Sequence, residues 1–193
     1  MQSTGEVIGI HRDPRVALAK ALRGASLIPP RAGVGDGAVA PVALLSIADR
    51  DKAGLARLAA ALIAAGYRLM ATPGTRDALA RHGVAADPVA KLGAALDDAP
   101  AMPGILDVIA SGEVRLVVNT PTPRSGAVRD AAEIRHSAIA EGILCLTAME
   151  TAIAAAEALD PAIQGQLAEV RSLVEWVPLV GPRVAQEPSG GAP

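Results

Sequence analysis

The chain has 193 residues, 51% of them apolar, and a formal net charge of −2, with one cysteine, one tryptophan, one tyrosine and no phenylalanine. That length holds one domain with appendages, while the missing basic field and the near absence of aromatic rings exclude nucleic-acid binding. A lone cysteine, Cys145, rules out an internal disulfide and a cysteine-based metal cluster; without a signal pattern or a membrane-length apolar run, a soluble cytoplasmic protein is expected.

Glu6–Ile10 has the apolar spacing of a short strand, and Pro14–Arg23 that of a helix with Val16, Leu18 and Leu22 as its apolar positions. The Pro- and Gly-containing stretch over residues 29–41 is a linker. Its Gly33-Val34-Gly35-Asp36-Gly37 run precedes a strand and opens no helix, so it is not a dinucleotide fingerprint. From Val42 strands and helices alternate. Val42–Ile47 is a continuous apolar run, as in a parallel strand covered on both faces. Lys52–Ala65 is a helix with Leu55, Leu58 and Leu62 on one stripe, stopped by Gly66. Tyr67–Ala71 is the second strand and Thr75–His82 a short helix ended by Gly83. Asp87–Lys91 is a weak third strand, and Pro103–Ala110 the next helix. Val114–Val118 is the fourth strand. Val128–Glu141 is a helix with Ala131, Ile134 and Ala138 in register, and Ile143–Leu146 the fifth strand. Met149, Ala152, Ile153, Ala156 and Leu159 mark the helix after it. Asp160-Pro161 opens a last amphipathic helix with the stripe Ile163, Leu167, Val170, Val174 and Val177, and residues 188–193 are expected to be disordered.

Such alternation predicts an α/β fold: a doubly wound, five-stranded parallel sheet with an N-terminal strand/helix extension and a C-terminal amphipathic helix. Ligands of these sheets bind beyond the carboxyl ends of the strands, where strand order reverses. Lys52 follows strand one, in the first turn of its helix. Thr72 and Thr75 bracket Gly74 after strand two, where two hydroxyls supply donors and a glycine lets the backbone approach an anion. Lys91 ends strand three, and Asn119-Thr120 ends strand four. Helix N-termini at these places favour negative charge, so a phosphate-bearing small ligand is the expectation. Taken singly, the lysine is also an ordinary surface cation and the threonines ordinary caps. Arg124, Arg129 and Arg135 are either phosphate contacts or a solvated helix face. His11, His82 and His136 lack ligand spacing, so no metal site is expected. Trp176 is expected to be a docking contact.

Residues 42–159 resemble the methylglyoxal-synthase-like domain, most closely the C-terminal regulatory domain of the carbamoyl-phosphate synthase large subunit. The matching pieces are Leu44-Leu45-Ser46, Asp51-Lys52, Ala71-Thr72-Pro73-Gly74-Thr75, Val89-Ala90-Lys91 and Val117-Val118-Asn119-Thr120. Asp130, Ile134-Arg135 and Ser137-Ala138 fit as well. Ser3–Ile10 is similar to the closing segment of that subunit's second ATP-grasp half, which makes residues 1–28 a remnant of it and residues 160–187 a C-terminal helix and tail. The resemblance implies a truncated or split large subunit whose Ser46, Lys52, Thr72, Gly74, Thr75, Lys91, Asn119 and Thr120 bind a nucleotide effector, UMP or IMP. No cofactor is implied for this chain, since ATP and Mg²⁺ belong to the catalytic units it lacks. Implied partners are a separately encoded catalytic region, the glutaminase small subunit and a second copy of the chain; no membrane is implied. Where the family often has two threonines after the last strand, near an ornithine contact, this chain has Leu146-Thr147, and the loop Pro121–Gly126 is rich in proline. Two alternatives remain. One is a methylglyoxal synthase-like lyase acting on dihydroxyacetone phosphate, for which Asp49 stands at the His-Asp position but residue 48 is alanine. The other is a scaffold that packs on a partner through the tail and the first residues.

Overall fold

Apolar side chains on both faces make residues 42–46 a strand that belongs in the middle of a covered sheet. The computed structural model describes residues 7–25, 40–92, 102–121 and 125–176, with side chains from 130 onward in the last stretch. There this strand, β1 (Val42–Ser46), lies at the centre of five parallel strands. Beside it run β2 (Arg68–Ala71) and β4 (Val114–Asn119). The edges are β3 (Asp87–Pro88) and β5 (Leu144–Leu146), giving the order β3-β2-β1-β4-β5. Order therefore reverses at β1, and the crevice of a doubly wound sheet opens between β1 and β4.

Alternate residues of β1 feed two cores. Ala43 and Leu45, with Ile47 just past the strand, meet α2 (Leu55–Ala64), α3 (Pro73–Ala80) and α6 (Met149–Glu157) on one face. Val42 and Leu44 meet α4 (Ile105–Ala110) and α5 (Ser125–Ala140) on the other. Leu44, Leu45, Leu55, Leu58 and Leu62 are fully buried, each worth about 1.5–3 kcal/mol over exposure. The stripe on α2 and the Ala131, Ile134, Ala138 register on α5 are both buried as the periodicity predicts. Gly66 (φ 88°) and Gly142 (φ 67°) end α2 and α5 in the left-handed region, where a side chain is strained.

Ahead of the sheet lies α1 (Pro14–Gly24), capped by Asp13, which accepts from the Arg15 N–H at 2.8 Å. Its Val16 and Ala19 pack on Ala158 and on Ile163 of α7 (Pro161–Gln164). The strand expected over Glu6–Ile10 is absent from its described part, residues 7–10. A strand needs a neighbour to complete its hydrogen bonds, and this segment lies on α1 instead: a side chain at Gly9 would overlap the Ala17 carbonyl.

Two further expectations are corrected. The helix expected from Lys52 begins as a 3₁₀ turn, Asp49–Gly54, and becomes α-helical only at Leu55. Gly54 sits at that join because Met149 of α6 presses against it; a Cβ there would stand 2.8 Å from Met149 Cγ. Nor is the tail one amphipathic helix. It is α7, a turn, and α8 (Leu173–Trp176), with Val170 and Val174 86% and 79% exposed. Helical spacing buries a stripe only where a surface faces it, and the chain beyond Leu167 is turned back by other contacts. Lys20 Nζ donates to the Glu169 carbonyl at 2.6 Å, and the His11 ring bonds the Glu169 carboxylate at 3.0 Å. Trp176 is buried with its ring 5.6 Å from that of His11. The tryptophan thus docks within the chain. Val177, residues 29–39 of the linker and residues 188–193 lie outside the described residues. Among the described residues no helix is long and apolar enough to cross a membrane.

Candidate functional site

The central strand ends in a position stitched from both sides. Leu45 accepts the Thr72 N–H at 3.1 Å, and Ser46 accepts the Thr120 N–H at 3.0 Å. Parallel register therefore places the residues after β2 and β4 on either flank of the carboxyl end of β1. The next two backbone N–H groups are met by side chains: Ile47 donates to Thr75 Oγ1 at 2.9 Å and Ala48 to Thr120 Oγ1 at 2.8 Å. A hydroxyl that accepts from the backbone keeps its own proton to donate. The Thr75 proton has the Ile47 carbonyl at 3.5 Å, too long to hold it. Thr72 Oγ1 lies 3.2 Å from Thr75 Oγ1, so the pair forms one polar patch, and both residues are buried.

Above this floor is a cavity of about 270 Å³. All eight residues singled out from the sequence line it: Ser46, Lys52, Thr72, Gly74, Thr75, Lys91, Asn119 and Thr120. Lys52 comes from the 3₁₀ turn. Its Nζ reaches 3.4 Å from where a Cβ on Gly74 would stand, so the glycine makes room for the ammonium as well as for a ligand. Lys91, expected at the end of a strand, lies beyond β3, which stops at Pro88; a single bridge, Ala90 to Gly104, continues the sheet there. Proline on an edge strand shortens pairing. Asn119 is buried, and its Nδ2 has no hydrogen-bond acceptor among the described residues. Burying such a donor unpaired is costly, and a ligand oxygen in the cavity would relieve it.

Further lining residues were not among the eight expected to bind the ligand. Ile105, Ala131 and Ile134 form the apolar wall; Asp49, weighed only for the lyase alternative, and Asp130, named only among the matching pieces, bring carboxylates. Asp130 had a legible signal, since it lies four residues before Ile134 and so on the buried stripe of α5. Asp49 Oδ1 is 2.6 Å from Lys52 Nζ. Arg50, which does not line the cavity, donates from Nη2 to the carbonyl of the lining residue Pro121 at 2.7 Å. Arg135 is exposed and does not line the cavity, while the side chains of Arg124 and Arg129 lie outside the described residues. Two buried titratable groups stand apart from it. Burial pushes the Tyr67 hydroxyl up to about 12, at the opposite end of β2, and raises the half-buried Cys145 thiol on β5.

Two cations, four hydroxyls and an unpaired amide over one crevice can hold a doubly charged oxyanion, and the Ile105/Ile134 wall can cover an apolar or planar remainder. With Phe absent and Tyr67 and Trp176 elsewhere, no aromatic ring lines the cavity.

The family model described as MGS-like domain matches residues 54–147, which takes in every singled-out residue except Ser46 and Lys52. The carbamoyl phosphate synthase large chain of Mycobacterium tuberculosis (strain CDC 1551 / Oshkosh) is 38% identical over 186 residues, 94% of this chain and 15% of its own length. That of Thermomicrobium roseum is 42% identical over 160 residues, 82% of this chain and 14% of its own. The "carbamoyl phosphate synthase large chain, C-terminal section" of Methanopyrus kandleri is 36% identical over 160 residues, 83% of this chain and 27% of its own. This chain therefore spans about 15% of the length of the first two of these relatives.

Proposed function

Residues 54–147 of this chain belong to the MGS-like domain family, and from that premise we propose that the chain is a regulatory module of a carbamoyl phosphate synthase large chain, binding a phosphorylated nucleotide such as UMP or IMP. What carries the proposal is the convergence of Lys52, Lys91, Thr72, Thr75, Thr120 and Asn119 on one cavity at the sheet's switch point. The lysines and hydroxyls hold the phosphate, the Asn119 amide donates to a ligand oxygen, and Asp130 accepts from a sugar hydroxyl. The partner is the catalytic region of such an enzyme, with its small subunit. Binding regulates that region only if the effector has different affinity for two states of the assembly.

The test is a thermal-shift screen of UMP, IMP and smaller phosphate esters, beside Lys52→Ala and Lys91→Ala. A ligand stabilises by about RT ln(1 + [L]/Kd), so millimolar doses register even weak effectors. Stabilisation by a nucleoside monophosphate that both variants lose supports the assignment; none from any phosphate ester refutes it. One observation favours a second activity. Asp130 sets a carboxylate in the cavity, where it can serve as the base for phosphate elimination from dihydroxyacetone phosphate. Methylglyoxal production abolished by Asp130→Asn would establish it.

A further inference from the structure

The ammonium of Lys52 is already engaged by an anion from its own turn. Asp49 and Lys52 are three residues apart on a 3₁₀ turn, where side chains at that spacing eclipse, and Oδ1 and Nζ lie 2.6 Å apart. The two ends of this pair differ in setting. Lys52 is largely covered, 21% exposed, with its Nζ turned toward Gly74, whereas the Asp49 side chain is 94% exposed. Both line the cavity. A phosphate reaching Lys52 must either displace the Asp49 carboxylate or sit beside it, and a phosphate monoester carries about −1.5 to −2 charge. Either route weakens binding, and the weakening grows with ligand charge.

We infer that Asp49 is a built-in competitor at the anion site: a tethered carboxylate that occupies Lys52 in the empty protein and lowers its affinity for phosphate. Its exposure lets it swing into solvent when a stronger anion arrives, and its short tether returns it when the anion leaves. The inference rests on the cavity being an anion site, and it adds a residue that tunes that site without being needed to build it. Exposed ion pairs couple weakly, so removing the competitor should tighten phosphate binding about two- to five-fold.

The experiment titrates the full chain with inorganic phosphate, then UMP, for wild type, Asp49→Asn, Lys52→Ala and the double variant, and records the Lys52 ¹³Cε and ¹⁵Nζ resonances without ligand. Asp49→Asn is a near-isosteric change at a side chain 94% exposed, and the urea unfolding midpoint of each variant is read beside its titration. The expected results are phosphate affinity raised two- to five-fold in Asp49→Asn, no such gain on the Lys52→Ala background, and moved Lys52 resonances in the empty protein. Equal phosphate affinity in wild type and Asp49→Asn overturns the competitor while leaving the anion site standing, as does a gain that persists without Lys52. No binding of phosphate or UMP by either protein overturns both, and unmoved Lys52 resonances overturn the pair itself.

Discussion

Replacing Thr75 with valine separates the framework of the cavity from its contacts. Thr75 is 1% exposed, and its oxygen accepts the Ile47 N–H at 2.9 Å. Valine keeps the shape and removes the acceptor, leaving a buried backbone donor unpaired, which costs about 1–3 kcal/mol. Taking ~2 kcal/mol, a chain of this size loses about 4–8 °C in Tm. Thr72→Val removes only a 3.2 Å bond between two side chains and orphans no backbone group, so its cost stays under about 1 kcal/mol. Binding does not follow that ranking, because the Thr72 hydroxyl, which donates to Thr75 Oγ1 at 3.2 Å, can turn to the ligand instead. Losing a hydrogen bond to a charged group, worth about 1.5–3 kcal/mol, weakens phosphate tenfold or more. Urea unfolding with an unchanged m value reads the first effect and a phosphate titration the second. Equal stability losses for the two variants, or none for Thr75→Val, would refute the division of labour.

Gly142→Ala should cost about 1–2 kcal/mol, because φ is 67° and no atom lies within 4 Å of the added methyl; phosphate affinity should not change. Trp176→Ala removes the buried ring that faces His11 and Lys20, at about 3–5 kcal/mol. Hydrogen exchange should show residues 7–25 losing protection while the sheet keeps it. The carboxyl of Glu169 is held below the ordinary value of 4.5, first by the hydrogen bond from His11 and then by Arg171. Its contribution to the clasp is therefore complete above the ordinary value and lost as pH falls through the depressed one. Fluorescence of Trp176, the chain's one tryptophan, should shift red along that acid limb, and Glu169→Gln should remove the dependence on Glu169.

Most of the fold was legible because its elements satisfy themselves locally or bury a stripe. The β1 and β4 runs, the Leu55-Leu58-Leu62 stripe and the glycine stops each have one stable use in a layered α/β domain. The eight cavity residues were legible for a topological reason: parallel strands all deliver their following residues to one edge of the sheet. What escaped depended on a neighbour. Residues 7–10 are apolar enough for a strand, but with no strand beside them among the described residues they lie against α1. Val170 and Val174 keep helical spacing but are exposed, with no described residue covering them, while Glu169 is drawn to Lys20 and His11. The need for a glycine where the 3₁₀ turn meets α2 comes from Met149, 95 positions away in sequence.

The most direct test of the phosphate site is calorimetric titration of the full chain with UMP and with IMP, beside the Lys52→Ala/Lys91→Ala double variant. Saturable heat from at least one nucleotide, absent in the folded double variant, is the predicted result. Silence from both nucleotides on folded wild-type protein, or equal binding by the double variant, would contradict it.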